Sequence, residues 1–159
     1  MKSLRALGVT AVVVTFLQLT FGGIVRITGS GMGCGDHWPK CIGSWGPPFD
    51  NPTVMIEWTH RLLATVVLLS IGSLALVAWK RRNEAGVGGS GGVLRPAVTA
   101  LGLVLAVALL GMVTVKVGNS TLATLAHWTL AMTLVAALIA ADRRGRRQLP
   151  PPTRAIAGA

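Results

Sequence analysis

Charge is scarce in this chain. Only 13% of its 159 residues are Asp, Glu, Lys or Arg, against 52% hydrophobic residues and a mean hydropathy of +0.62. That balance excludes an ordinary soluble domain of this size and implies a membrane protein. Cysteine is scarce as well: Cys34 and Cys41 are the only two, with no Cys-x-x-Cys and no second pair, which argues against a thiol-relay oxidoreductase. The cysteines with His37 would make only three zinc ligands, at a spacing that fits no zinc pattern, so His37 is expected to be a loop residue. Also missing is a small-residue cleavage site after the first apolar stretch. Arg26-Ile-Thr-Gly-Ser follows it instead, and the stretch is expected to be retained as a span rather than removed as a signal.

Long apolar runs are abundant. Four of them, at roughly 7–25, 57–79, 97–117 and 121–141, approach the length of about 20 residues that a hydrocarbon core of about 30 Å requires. The expected fold class is therefore all-α, a polytopic four-transmembrane-helix bundle over 1–142, followed by a basic, Pro-rich tail over 143–159 that is expected to be disordered. The net charge of +10 does not point to nucleic acid, because the basic residues cluster at helix ends and not along an exposed face. Lys2, Arg5, Lys80, Arg81, Arg82, Arg95, Arg143, Arg144, Arg146, Arg147 and Arg154 all fall on one side of such a bundle. The positive-inside rule then puts both termini in the cytoplasm and the loops 26–56 and 118–120 outside the cell membrane. Trp38, Trp45 and Trp58 suit the interfacial belt at that outer level.

Residues 83–92, Asn-Glu-Ala-Gly-Val-Gly-Gly-Ser-Gly-Gly, read as a flexible linker that divides the chain into two helical hairpins. The hairpins look alike. Gly23-Ile-Val-Arg-Ile-Thr-Gly29 ends the first helix much as Gly111-Met-Val-Thr-Val-Lys-Val-Gly118 ends the third, with one residue extra. His60-Arg-Leu-Leu-Ala64 and His127-Trp-Thr-Leu-Ala131 lie near the starts of the second and fourth. Either this is a weak internal repeat about an axis along the membrane normal, or it is chance in Leu/Ala/Val-rich helices.

The two histidines are the most informative residues, since an ionisable side chain within a membrane span is by default functional. With helices starting near 57 and 121, both lie roughly 5 to 9 Å below the outer end. Two neutral imidazoles at one depth suit the axial positions of a haem iron. Gly22, Gly23, Gly111, Ala64 and Ala131 would let a flat macrocycle enter, or simply serve close helix packing. Arg26, Arg61 and Lys116 at the same level are candidates to grip anionic propionates, or to snorkel to headgroups. Glu57 lies one helical turn before His60; it is either a helix-end charge paired with Arg61 or a proton acceptor beside the macrocycle. A disulfide between Cys34 and Cys41 is the default for an exported loop, with a redox role as the sharper alternative.

Together the run Gly22-Gly-Ile-Val-Arg-Ile-Thr-Gly-Ser-Gly-Met, the Cys34-x6-Cys41 pair, Glu57-x-x-His60-Arg and the lone His127 of the fourth helix resemble the haem A synthase (CtaA/Cox15) family. The resemblance covers about residues 20–135 and the amino-terminal half of the usual eight-helix members. It implies a membrane oxidoreductase that oxidises the C8 methyl of haem O to a formyl group, making haem A for terminal oxidases. His60 and His127 would be axial ligands of haem b or of the haem O substrate, Glu57 the catalytic carboxylate, and Cys34 with Cys41 a disulfide. It further implies a homo-oligomer or partner chain supplying both haem sites, with haem O synthase as a possible neighbour. The alternative is a non-catalytic b-type haem-binding or haem-transfer protein of oxidase assembly.

Overall fold

The computed structural model describes residues 2–48 and 50–148. Four helices account for most of them: α1 (Lys2–Ile27), α2 (Pro52–Lys80), α3 (Leu94–Lys116) and α4 (Thr121–Gln148), with a 3-10 turn at Ser30–Met32 in the long connection after α1. All four are long and apolar enough to cross a membrane, and there is no β-strand among the described residues, only an isolated bridge between Cys41 and Ser44. The all-α, four-span architecture read from the sequence is borne out.

The helices outrun the apolar stretches. α2 starts at Pro52 and not near 57 because Asn51 caps it, its side chain accepting from Thr53 N at 3.1 Å, with Pro at the first turn. His60 is thereby eight residues into its helix, roughly 12 Å, against six residues and roughly 9 Å for His127. At the other end α4 continues to Gln148, through residues expected in the tail. The remaining tail, 149–159, lies outside the described residues.

Each helix packs on the next, and α4 closes back on α1. Directions follow from the contacts: Arg81, just after α2, donates to Ser3 Oγ near the start of α1 at 3.0 Å, whereas Gly22 near the end of α1 faces His60 near the start of α2. The result is an up-down-up-down bundle with α2 and α4 on one diagonal and α1 and α3 on the other. Its main core fills the half nearer the termini and is built from Leu4, Ala11, Ile71, Leu74, Ala100, Leu134, Leu138 and their neighbours. A second, small cluster of Cys34, Cys41 and Val54 with Trp58 sits at the loop end.

Burial repeats between the hairpins. Leu4, Ala11 and Thr15 are the buried positions of α1, and Val93, just before α3, recurs with Ala100 and Val104 at the same spacing among the buried positions of the second hairpin. Val67, Ile71 and Leu74 of α2 have counterparts in Leu134, Leu138 and Ala141 of α4. This register pairs Gly22 with Gly111 and Gly29 with Gly118, the last two sharing left-handed φ values of 66° and 62°. The extra residue expected in the second hairpin disappears once Gly22, not Gly23, is matched to Gly111.

The turn joining the hairpins is a correction. Residues 83–92 were expected to be a flexible linker, yet Val87 is fully buried in the main core. Val93 N and Leu94 N bond back to the carbonyls of Gly86 (3.4 Å) and Val87 (3.0 Å). Glycine is needed there for close approach: a Cβ on Gly88 would collide with the Arg82 carbonyl, and one on Gly92 with the carbonyls of Val87 and Gly88. Gly92→Ala is expected to cost about 1 to 3 kcal/mol through forced backbone shifts, lowering the thermal midpoint in detergent. Gly72→Ala, where a Cβ meets nothing within 4 Å, should not lower it. Equal midpoints would show the turn to be the loose linker that its composition suggested.

Candidate functional site

His60 and His127 stand on the diagonal helices α2 and α4, each seated against a glycine of the helix before it. A Cβ at Gly22 would lie 3.3 Å from His60 Cε1, and one at Gly111 3.1 Å from His127 Cε1. Both distances are tighter than ordinary contact, so glycine lets the rings come this near without their having to give way. The small residues thus admit the imidazoles themselves. Gly23 faces Trp128 instead, 3.7 Å from where its Cβ would be. Phe21 stacks near His60, with centroids 6.4 Å apart and planes at 12°. His127 is within electrostatic reach of His60.

The rings differ in their polar partners. Gln18 Nε2 lies 3.0 Å from the His60 carbonyl oxygen and 3.0 Å from His60 Nδ1. A carbonyl can only accept, so the Gln18 nitrogen is the donor; it also lies 3.4 Å from His60 Nε2 and thus faces both ring nitrogens. His127 has no side-chain partner among the described residues: its ring lies against the Val107 backbone, and its Nδ1 is buried and unbonded, as is Gln18 Oε1. A buried polar atom left unpaired costs about 1 to 3 kcal/mol. Gln18 was missed in the sequence reading although a signal existed, since it is the only side-chain amide within the first apolar stretch.

Glu57 is 3% exposed and both of its oxygens are engaged. Oε2 accepts from the Cys34 backbone N–H at 2.7 Å, and Oε1 pairs with Arg61 Nη2. Arg61 Nη1 donates onward to the carbonyls of His37 (2.7 Å) and Lys40 (2.9 Å). Carboxylate and guanidinium therefore clasp the loop that the Cys34–Cys41 disulfide closes. Trp58 Nε1 adds a bond to the Trp45 carbonyl at 3.1 Å. His37 stays in the loop, its Nδ1 3.3 Å from the Cys34 carbonyl.

The cations expected around a macrocycle are thus not equivalent. Arg61 is occupied by Glu57 and the loop. Lys116 reaches Asp36 at 3.9 Å, and Arg26 is exposed at the end of α1 with no ion pair among the described residues. No three His, Cys, Asp or Glu side chains converge as for a bare metal ion among the described residues. Two imidazoles suffice where a macrocycle supplies the other ligands to iron, and the seated pair, one with an unpaired ring nitrogen, fits that demand.

Fold and pair together define a four-helix membrane protein with two histidines on diagonal helices near the loop end. The COX15-CtaA family, described as cytochrome oxidase assembly protein, matches residues 5–158, and the chain belongs to that family. Among its relatives, the Heme A synthase of Bacillus licheniformis is 31% identical over 138 residues, 87% of this chain and 44% of that protein. The Heme A synthase of Bacillus pumilus is 40% identical over 79 residues, 50% of this chain and 25% of its own. That of Staphylococcus aureus strain Newman is 42% identical over 80 residues, 50% of this chain and 26% of its own. These alignments span less than half the length of each of the three relatives. No solved structure matches it.

Removing Glu57 leaves the Arg61 charge without its partner in a site where the guanidinium side chain is only 15% exposed. Glu57→Ala is expected to cost about 3 to 5 kcal/mol, read as thermal stability in detergent. Glu57→Gln, which keeps an acceptor for Cys34 N–H, should cost clearly less; equal losses would remove the clasp from the account.

Proposed function

We propose that this chain holds haem between His60 and His127 and oxidises the C8 methyl of haem O to a formyl group, yielding haem A for terminal oxidases. The observation that carries the reading is the seating of two imidazoles on matched glycines at one level of a membrane bundle, in a family whose curated relatives are named heme A synthase. The transformation is two successive hydroxylations of the methyl carbon followed by loss of water. Iron supplies the redox chemistry when bound. The chain's own part is to bind, orient and enclose. Gly22 and Gly111 set how far the two rings stand from α1 and α3, while Phe21 and Trp128 wall the same level. Arg26 is the best-placed cation for an anionic propionate, with Lys116 next and Arg61 last, in order of how far each is already engaged.

Glu57 has two possible roles, and its bonds support the clasp that holds the loop over the site. As a proton acceptor it would first have to release Arg61 or the Cys34 N–H. The disulfide is structural in this reading. The basic, terminal end of the bundle faces the cytoplasm and the loop end lies outside the cell membrane. A homo-oligomer and a haem O-producing neighbour complete the proposal. A second reading, a non-catalytic b-type haem carrier of oxidase assembly, is favoured by one observation: neither Glu57 oxygen is free.

Haem extraction and a pyridine haemochrome spectrum of the detergent-purified protein supplied with haem O, an oxidant and a reductant decide between the two. Appearance of haem A supports the synthase, and haem O recovered unchanged leaves the carrier. His60→Ala and His127→Ala should each disturb the low-spin Soret band, and unchanged spectra in both would remove the ligand assignment. Glu57→Gln should retain haem. Loss of haem A formation in that variant at unchanged stability would restore the carboxylate to the chemistry.

A further inference from the structure

Four seams separate the helices of the bundle, and three of them are tied. α1 and α2 are joined by the long connection and by the Gln18 amide, 3.0 Å from the His60 carbonyl. α2 and α3 share the buried turn around Val87 at one end. At the other, the disulfide loop that Glu57 and Arg61 clasp reaches the end of α3 through Asp36 and Lys116, 3.9 Å apart. α3 and α4 are joined by the turn at 117–120, where Asn119 N donates to the Thr114 carbonyl at 2.7 Å, and His127 lies against the Val107 backbone. The fourth seam is different. α1 and α4 are not consecutive, so no turn joins them, and no hydrogen bond or ion pair crosses between them among the described residues.

Packing across this seam is also incomplete. Near the termini lies a cavity lined chiefly by α1 and α4, with Leu4, Arg5 and Gly8 on one side and Leu138, Asp142 and Arg146 on the other. The Asp142–Arg146 pair, at 2.7 Å, stays within α4. At the level of the histidines the seam is closed by Trp128, whose indole tip would lie 3.7 Å from a Cβ on Gly23, an ordinary packing contact. The indole makes no hydrogen bond among the described residues. Beyond it, Gly31 meets the Asn119 side chain and bounds the seam toward the loop end. Helices in lipid gain little from burying apolar surface on each other, so close packing and hydrogen bonds decide which pair parts most easily. We propose that the macrocycle passes between the bilayer and the site through the α1/α4 seam, with Trp128 as the gate. The proposal rests on the haem-binding reading above. The shared register makes the point again, because position 128 corresponds to 61 in the first hairpin. Arg61 is held by Glu57 and two loop carbonyls, whereas swinging the Trp128 indole aside breaks no polar bond. A flat apolar ligand dissolved in the bilayer then reaches the imidazoles without the disulfide loop opening.

The test uses the full chain in phospholipid vesicles, with haem b as the probe and the Soret band as the readout. A Gly23→Cys, Trp128→Cys pair is bridged by a short bismaleimide that spans the space left by the indole; the buried Cys34–Cys41 disulfide does not react. Before bridging, this protein should take up haem. After bridging, uptake should slow by about tenfold or more. Protein loaded first and bridged afterwards should keep its band; loss of the band would mean a damaged site and overturn the gate. Separately, Trp128→Ala should speed both uptake and transfer of haem to added apomyoglobin by about three- to tenfold, with Trp128→Phe in between. These two variants decide the matter if the cysteine pair loses its helical circular dichroism. No uptake by wild type or any variant overturns the haem reading and the proposal with it. Uptake at the unbridged rate after bridging, or faster release without faster uptake in Trp128→Ala, overturns the gate alone and leaves Trp128 a wall of the site.

Discussion

Everything at the loop end depends on how closely two imidazole rings approach the backbones of their neighbouring helices. Gly22 and Gly111 are the positions where a single methyl group would intrude on that approach. In a close-packed interior such an intrusion has to be met by a shift of the ring of a few tenths of an ångström. Above this level lies the disulfide loop with its own small cluster, and below it the main apolar core. The histidines therefore mark the boundary between a part of the bundle held by apolar packing and a part held by hydrogen bonds and an ion pair.

Two hairpins of similar layout, with few identical residues, make that boundary asymmetric. The apolar core positions of one hairpin recur in the other, from Leu4 and Val93 to Leu74 and Ala141. Near the histidines, several of the differences are polar. Gln18 stands opposite Val107, Glu57 opposite Thr124 and Arg61 opposite Trp128 in the shared register. The duplicated apolar frame supplies two similar seats, and the unduplicated polar residues give them different chemistry. All three of those polar residues belong to the first hairpin.

The spans, the site histidines and the cysteine pair were legible because each rests on a local signal: hydropathy over about 20 residues, an ionisable group in an apolar run, two cysteines in one loop. What was not legible depends on contacts between distant segments. The glycines of 83–92 look the same in sequence whether they permit motion or permit a carbonyl to pass within van der Waals reach, and only the burial of Val87 tells the two apart. The start of α2 was misplaced because the apolar run begins after the Asn51-Pro52 cap that starts the helix. Arg61 reads equally as a propionate anchor or as a partner for Glu57, and its bonds to the His37 and Lys40 carbonyls, more than twenty residues back along the chain, were beyond any pattern in the sequence.

Arg61 also joins two parts of the molecule mechanically. It is the residue next to His60 on a continuous helix, and its guanidinium holds carbonyls from within the covalently closed ring of residues 34–41. Glu57, one turn earlier, holds the backbone of Cys34 itself. The ring is thus a handle on α2. No slack segment lies between this closed ring and the helix turn that bears His60.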